Sequence, residues 1–281
     1  MSNKYPKISI VTPSYNQGRF IEDAIKSIIE QNYPNFEHII IDNCSTDNTI
    51  EILKKYPHLV WLSEPDKGQS DAINKGFKKA TGDIIGWLNA DDYYLPEIFG
   101  KIATNLNKNS NIDIIYGNWN FVDKNKKILK KFQSIPFNYK ILIYYGPYIG
   151  STALFFRRSI IDEGHFINTK FKYVMDWEWF IRLASLGKNF IFINKSLACF
   201  RLHGVNQSMK YNKLEGINKL FIRAQQLAEG YAIKRFYGHH WGNDVFGGSL
   251  IEEISYRLLW WAYKSKVILL KTIYLLLNNN L

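Results

Sequence analysis

The stretch Asn-Ala-Asp-Asp at residues 89–92 places two carboxylates directly after a short apolar segment of the chain. Carboxylate oxygens in a turn after a buried strand can hold a hard divalent cation, which can in turn bind a nucleotide diphosphate. The stretch could instead cap the helix predicted after Pro96, because Asp is favoured at helix N-termini. Asp42 and Asp66 also follow predicted strands. Since capping does not require those acids, the pattern favours a cation site.

Asp42 follows three isoleucines and is suited to accept hydrogen bonds from a ribose or a base edge. It could instead order the loop at residues 42–45 as an Asx turn. The chain contains neither the GxGxxG pattern of dinucleotide folds nor the GxxxxGK[ST] pattern of P-loops. A nucleotide site of another type is therefore predicted.

A second group of acidic residues opens a predicted helix at Asp176 and Glu178. A carboxylate there could act as a general base that takes a proton from a hydroxyl nucleophile, or it could simply complement the helix dipole. His203 follows a predicted strand and could bind a metal or a phosphate, although a single histidine could equally be structural.

These candidates require an alternating α/β framework, and the apolar periodicity of residues 1–116 supplies one. Such alternation predicts a mainly parallel sheet covered on both faces by helices. Ligands of parallel sheets bind beyond the carboxyl ends of the strands, where the polar clusters at 12–16, 42–43, 64–68 and 89–92 converge. Strands are predicted at 8–11, 38–41, 58–62, 83–88 and 112–116, and helices at 20–30, 47–55, 71–79 and after Pro96.

The alternation stops after Tyr116. The pattern then predicts a strand, a turn at 123–125 and a basic stretch with lysines at 126, 127, 130 and 131. Further strands are predicted at 151–156, 190–193 and 197–202, with a helix at 175–186. From residue 209 onward the pattern is helical, except at 237–248.

Composition bounds the class of protein. With 281 residues, 46% hydrophobic and 22% charged, the chain is long enough for a sizeable core and is not a disordered, collagenous or low-complexity protein. Cys44 and Cys199 cannot form a disulfide framework, so a reducing compartment is expected. Neither a secretory leader nor a membrane span is evident, so we expect a cytoplasmic protein. The net charge of +11 favours an anionic partner.

Together these motifs resemble glycosyltransferase family 2, the inverting nucleotide-sugar enzymes of the GT-A fold, over residues 6–205. The resemblance implies a GT-A, Rossmann-like, mainly parallel α/β catalytic domain at 1–205 and a helical C-terminal extension at 206–281. Within the domain, residues 1–116 would bind the nucleotide sugar and 117–205 the acceptor. The most specific stretches are 12–16, 42–49, 66–76, 80–83 and 89–92.

The resemblance also assigns roles on the donor side. The family's acidic metal motif falls on Asn89 and Asp91, with Asp91 as the metal ligand, His203 completing the shell and Mn²⁺ or Mg²⁺ as the cofactor. Asn89 departs from the usual acid, and a neutral amide oxygen is a weaker ligand. The residues implied in nucleotide binding are Thr12, Pro13, Tyr15, Asp42, Asp66, Lys67, Asp71, Asn89 and Ala90.

On the acceptor side the resemblance implies Asp176 as the base, with Glu178 as the alternative. The reaction would be a single displacement with inversion, moving a sugar from a nucleotide-diphosphate sugar, for which UDP is favoured, to a hydroxyl of a saccharide or lipid-linked saccharide. Surface-polysaccharide synthesis is the expected context. The acceptor or diphosphate side would be lined by Gly150, Ser151, Thr152 and Arg201.

Residues 255–281 carry four basic and no acidic residues among aromatic ones, which favours a peripheral contact with the inner face of the membrane or packing of helices on the domain or on a second subunit. A homodimer is left open, and nucleic acid is not expected as a partner. Alternative functions are a catalytically weak nucleotide- or carbohydrate-binding relative and a basic nucleic-acid-binding module. A sugar-phosphate nucleotidyltransferase would need a Gly-rich phosphate loop that the N-terminal region lacks.

Overall fold

The computed structural model describes residues 5–144 and 147–203. The extension predicted at 206–281, including the C-terminal residues 255–281, lies outside the described residues. The first half follows the predicted alternation, with boundaries shifted by a few residues. Its strands are β1 (Ile8–Ser14), β2 (Phe36–Asp42), β3 (Leu59–Ser63) and β4 (Ile84–Trp87), and its helices are α1 (Ile21–Ile29), α2 (Thr49–Leu53) and α3 (Gln69–Lys79).

The second half adds shorter elements around one long strand pair. No helix within the described ranges has the length and apolar character needed to cross a bilayer. The elements are β5 (Tyr93–Tyr94), α4 (Phe99–Lys108), β6 (Ile114–Val122), β7 (Ile128–Phe132), α5 (Tyr139–Tyr144), a 3₁₀ turn (Ser151–Ala153), β8 (Leu154–Arg157), α6 (Ser159–Asp162), α7 (Met175–Ser185) and β9 (Phe190–Arg201).

The nine strands found among the described residues belong to one sheet in the order β3-β2-β1-β4-β8-β6-β9-β5, with β7 paired to β6. The prediction of a mainly parallel sheet holds for β1 to β4, which are parallel neighbours. Beyond β4 the sheet is mixed, since β8 is antiparallel to both β4 and β6, while β6 and β9 are parallel. β7 is also antiparallel to β6, because only antiparallel neighbours can be joined by so short a turn.

The segment predicted as two strands at 190–193 and 197–202 is a single strand, β9. The polar residues between the two apolar runs lie at an irregularity, where the register of β9 against β6 shifts around Asn118. A bulge of this kind absorbs an extra residue without ending the strand. The end of β9 thereby runs beside the end of β6 as far as Arg201.

Helices cover both faces of the sheet, and alternate residues of β1 show it. Ile10 packs in the apolar cluster that includes Phe99 of α4, whereas Val11 packs in the cluster that includes Phe77 of α3 and Trp179 of α7. Successive side chains of a strand point to opposite faces, so the residues of one strand contribute to two hydrophobic cores. These cores hold β1 and β4 rigidly, with their carboxyl ends at one edge.

Helix α3 lies unusually close to β1 at Gly76. A Cβ atom there would collide with a methyl group of Val11, so only glycine permits this approach. A second glycine requirement occurs at Gly68, which precedes α3 with φ +117. The close packing brings the start of α3 to the edge where β1 and β4 end.

Candidate functional site

A cleft of about 460 Å³ lies at this edge, between the loops that follow the parallel strands and the segment that leads into α7. Its lining residues come from both halves of the chain. Of the residues predicted for the site, it is lined by Pro13, Tyr15, Asp66, Asn89, Ala90, Asp91, Ser151 and Asp176.

Asn89 begins the turn after β4, and its amide oxygen is already engaged. Oδ1 accepts hydrogen bonds from Nε1 of Trp87 and from Nε2 of Gln69, each at 2.9 Å. An indole N–H can only donate, so this contact identifies the oxygen, and two donors use both of its lone pairs. Asn89 therefore positions the turn in this structure rather than offering a free ligand to a metal.

Asp91 lines the cleft and contacts His203, which is not among the lining residues. Oδ2 of Asp91 lies 2.8 Å from Nε2 of His203, and the imidazole packs against the ring of Phe20 at 4.6 Å between centroids. Among the described residues no three His, Cys, Asp or Glu side chains group to hold a metal by themselves. A carboxylate and an imidazole do suit Mn²⁺ when diphosphate oxygens supply the remaining ligands, so these two residues fit the implied cation.

Asp92 is fully buried behind this turn and joins three elements. Its carboxylate accepts hydrogen bonds from the Thr152 hydroxyl at 2.8 Å, the Arg201 backbone N–H at 2.9 Å and Nδ2 of Asn89 at 3.1 Å. Burial raises the pKa of Asp92 well above its usual range, and the charge of the neighbouring Asp91 raises it further. The side chain of Asp92 does not line the cleft, and its three hydrogen bonds fix the turn that carries Asp91.

Arg201 is also buried, with a side chain only 2% exposed. Nε donates to the Asp91 carbonyl at 2.8 Å, Nη1 to the Lys124 carbonyl at 3.1 Å and Nη2 to Oδ2 of Asp23 at 2.7 Å. The guanidinium is 4.8 Å from the ring centre of Phe20. It was predicted on the diphosphate or acceptor side, but the structure directs it away from the lining of the cleft, where it holds the Asp91 backbone.

Asp176, the predicted base, lies in the first turn of α7 and lines the same cleft as Asp91. The Ser151 hydroxyl hydrogen-bonds its carboxylate, and the N–H of Trp177 donates to Oδ1 at 2.8 Å. Burial raises the pKa of Asp176, and these hydrogen bonds oppose the rise. A partly buried carboxylate with a raised pKa at the wall of a cleft has the properties of a general base.

Glu178, the alternative base, lies two residues after Asp176 in α7 and is 2% exposed. Its Oε1 pairs with Nε of Arg182 at 2.8 Å. The side chain is not among those that line the cleft. The geometry therefore favours Asp176 of the two.

At the predicted nucleoside end, Tyr15 lines the cleft and is 56% exposed. Thr12 and Asp42 lie beneath the surface instead. Oγ1 of Thr12 is 2.9 Å from Nε2 of the buried His38. The Asp42 carboxylate accepts hydrogen bonds from the Ser45 N–H and the Ser63 hydroxyl, both at 2.8 Å. This is the loop-ordering alternative for Asp42, which is fully buried and does not line the cleft.

The remaining predicted residues stand around the cleft without lining it. Lys67 is exposed, and its backbone N–H donates to Oδ2 of Asp71 at 3.0 Å, so the two order the loop before α3. Gly150 lies against the indole of Trp119, where a Cβ atom would be 2.9 Å from the ring. Thr152 reaches the site only through Asp92.

Twelve of the twenty lining residues were not among the predicted site residues, and five of these twelve have a clear place in the site. Gln69 and Trp87 orient Asn89, and Phe200 contributes to the wall near the end of β9. Lys172 and Tyr173 line the wall next to Asp176. Their position just before the helix that carries the predicted base is the signal that could have identified them.

Comparison with known proteins identifies the family of this chain. The model of the family described as glycosyl transferase family 2 matches residues 9–164, more than half of the chain. TuaG of Bacillus subtilis strain 168, named provisionally as a teichuronic acid biosynthesis glycosyltransferase, is 27% identical, with 83% of this chain and 93% of TuaG covered. WfgD of Escherichia coli, named as a UDP-Glc:α-D-GlcNAc-diphosphoundecaprenol β-1,3-glucosyltransferase, is 29% identical, with 75% of this chain and 83% of WfgD covered.

Solved structures share the fold. Staphylococcus aureus TarS 1-349 in complex with UDP-GlcNAc superposes with a TM-score of 0.60 at 20% identity, covering 88% of this chain and 77% of that one. The mannosyltransferase PcManGT of Pyrobaculum calidifontis, in complex with GDP-Man and Mn²⁺, gives a TM-score of 0.55 at 15% identity, covering 93% and 84%. Identities this low support the GT-A fold and no finer detail.

Proposed function

The chain belongs to glycosyl transferase family 2, and from this membership and the cleft we propose that it moves a sugar from a nucleoside-diphosphate donor to a saccharide hydroxyl. The enzyme class and a role in glycan synthesis follow from the family and its relatives. The donor, the acceptor, the stereochemistry and the residue roles are our proposals.

The donor's nucleoside is assigned to the end of the cleft formed by Pro13, Tyr15 and Asp66. The exposed ring of Tyr15 offers a flat face for a base, and Asp66 offers carboxylate oxygens for hydroxyl groups. UDP is the nucleotide we favour, because WfgD is named for UDP-Glc and TarS was solved with UDP-GlcNAc.

The diphosphate is assigned to the part of the cleft next to Asp91 and His203. Both side chains could hold Mn²⁺ or Mg²⁺, which would neutralise the charge of the diphosphate when bound. Arg201 and Asp92 hold the turn that carries Asp91, through its carbonyl and through the adjacent backbone. Asn89 contributes by fixing the same turn.

The reaction we propose is a single displacement at the anomeric carbon of the sugar. The acceptor oxygen forms the new bond to that carbon, the bond to the phosphate oxygen breaks, and Asp176 takes the acceptor's proton. The nucleoside diphosphate leaves with the bonding electrons. Because attack comes from the face opposite the leaving group, the anomeric configuration inverts, and no covalent glycosyl-enzyme forms.

The acceptor is assigned to the wall formed by Ser151, Lys172, Tyr173 and Asp176. An aromatic ring and a cation beside the base suit a saccharide that carries a phosphate. A lipid-linked saccharide in surface-polysaccharide synthesis fits this wall, and the name of WfgD supports such an acceptor. The reaction would then take place at the inner face of the membrane.

The observation that carries the proposal is that Asp91 and Asp176 line one cleft from opposite halves of the chain. We would test it by measuring thermal stabilisation and calorimetric binding with UDP, GDP, TDP and CMP, with and without Mn²⁺, for the wild type and for Asp91→Ala. A ligand of the folded state raises its apparent stability. Stabilisation by one nucleoside diphosphate that requires Mn²⁺ and Asp91 would support the proposal, whereas absence of binding by all four would contradict it.

A further inference from the structure

The turn and strand that follow β6 form a strongly basic surface. Residues 124–131 contain five lysines, no acidic residue and the pair Ile128 and Leu129, and every one of the eight is exposed. Lys126 forms an ion pair with Asp23 at 2.6 Å. The lysines at 127, 130 and 131 form no ion pair within the part of the chain that the structure describes, so their charge faces solvent.

Ile128 and Leu129 show that this segment stands clear of the domain on both faces. Neighbouring residues of a strand point to opposite sides, yet Ile128 is 49% and Leu129 53% exposed. Lysines on an edge strand can serve merely to discourage pairing with other chains. That purpose does not account for two exposed aliphatic side chains at the centre of the segment.

The basic segment is held firmly and lies close to the cleft. The Asp123 carboxylate accepts hydrogen bonds from the N–H groups of Asn125 and Lys127, both at 2.9 Å, which closes the turn. Arg201 then ties the Lys124 carbonyl to the Asp91 carbonyl through one guanidinium. A partner bound to this segment would therefore sit beside the turn that we assign to the diphosphate.

We propose that residues 124–131 form a docking surface for an anionic lipid bilayer. The lysines attract the negative headgroups, and Ile128 and Leu129 enter the layer between headgroups and acyl chains. Clustered basic residues with aliphatic neighbours are the chemistry that such a surface binds. Docking there would hold the cleft at the membrane surface. The inference goes beyond the proposed transfer reaction and does not depend on it, because vesicle binding is measured without donor or turnover.

The test is co-sedimentation of the full chain with vesicles of phosphatidylcholine containing about one third phosphatidylglycerol, and with pure phosphatidylcholine vesicles, at low salt. The main variant replaces Lys127, Lys130 and Lys131 by Gln. Its matched control replaces Lys54, Lys79 and Lys108 by Gln, three exposed lysines elsewhere on the domain. Because each lysine near an anionic surface adds attraction, we expect the main variant to bind anionic vesicles on the order of 100-fold more weakly and the control to bind as the wild type does.

A second variant, Ile128→Ser with Leu129→Ser, keeps the charge and should weaken binding most at high salt, where the electrostatic attraction is screened. Near-ultraviolet circular dichroism of each variant checks that the fold is retained. The inference is overturned if the wild type does not bind anionic vesicles. It is also overturned if the wild type binds them and both variants of residues 124–131 bind them as well as the wild type does. Binding to an immobilised anionic polysaccharide that needs the lysines, without binding to vesicles, would also overturn it and assign the surface to a polyanion.

Discussion

The carboxylate of Asp91 and the imidazole of His203 lie 2.8 Å apart, although 112 residues separate them in the chain. The contact joins the turn after β4 to the residues that follow β9. Both side chains are mostly buried, at 16% exposed for Asp91 and 4% for His203, and Asp91 is the one that lines the cleft. This arrangement concentrates the assigned donor chemistry on one turn and one strand end.

Replacing Asp91 by Asn should weaken UDP binding at least tenfold in the presence of Mn²⁺ and leave it nearly unchanged without the metal. The substitution preserves shape but removes the anionic oxygen that a divalent cation prefers. Isothermal titration calorimetry with and without Mn²⁺ measures this difference. Asp162→Asn, an exposed residue of α6, is the matched control. Equal metal-dependent binding by all three proteins would remove Asp91 from the assigned metal site.

Replacing Asp176 by Asn should lower the rate of sugar transfer by a factor of 100 or more, roughly the contribution of general base catalysis, while UDP binding changes little. Glu178→Gln is the comparison, because it alters the neighbouring acid on the same helix, whose partner is Arg182. Transfer can be followed by the release of UDP in the presence of a saccharide acceptor. Retention of activity in Asp176→Asn would require another base.

The pH dependence of transfer should report the same carboxylate. Burial raises the pKa of Asp176, and a base acts only when it is deprotonated. The rate should therefore fall as the pH decreases through a pKa above the usual range of an aspartate, rather than near 4. The profile of kcat/KM against pH measures this, and an inflection at an ordinary aspartate pKa would show that the burial of Asp176 does not govern turnover.

Protein stability should fall in mild acid because of His38. Burial lowers the pKa of His38 to about 3, with the nearby His58 adding to the effect. In the unfolded chain the imidazole binds a proton near its ordinary pKa of about 6.5, so the unfolded state gains protons first as the pH falls. The free energy of unfolding should drop by about 2 kcal/mol from this group between pH 7 and pH 5.

Urea unfolding at several pH values measures the contribution of His38. His38→Gln should flatten the pH dependence, since glutamine does not titrate. His58→Gln, at an exposed position, should change it much less. An identical slope in the wild type and His38→Gln would show that other groups cause the acid sensitivity.

Replacing Asp23 by Asn should destabilise the fold by about 3 kcal/mol, because the buried Arg201 guanidinium would lose its carboxylate partner. The same change should weaken nucleotide binding, since Arg201 also holds the Asp91 carbonyl. Asp162→Asn breaks an exposed pair with Arg158 and should cost less than about 1 kcal/mol. Urea unfolding of the two variants gives the comparison, and equal losses would contradict the clamping role of Arg201.

The first half of the fold could be predicted from the sequence because its apolar runs match the periods of strands and helices. The second half could not be predicted in full. The polar residues between the two runs of β9 suggest a break, but a register shift against β6 keeps the strand continuous. Residues 128–132, which include two of the lysines of the predicted basic stretch, form β7, because an edge strand with an exposed face tolerates lysines.

The candidate site, like the fold, could be predicted only in part. Asp91 and Asp176 could be placed in one cleft, because parallel strands end at the same edge and the family resemblance supplied the base. The burial of Asp42 and of Arg201 could not be inferred, since it depends on hydrogen bonds to Ser63 and to Asp23, which are remote in sequence. The contact between Asn89 and Gln69 likewise depends on the packing of α3 against the sheet.

The clamp made by Arg201 has a consequence for how the protein is made. The turn at 89–92 accepts its hydrogen bonds from Arg201 across 109 and 110 residues of chain. Contacts this distant in sequence form late, because a long loop must close before they can form. On the ribosome, β1 to β4 can pair as soon as they emerge, but the turn that carries Asp91 is fixed only when residues 201–203 have been released. The end of the cleft that we assign to the donor, though encoded first, would be the part of the domain that matures last.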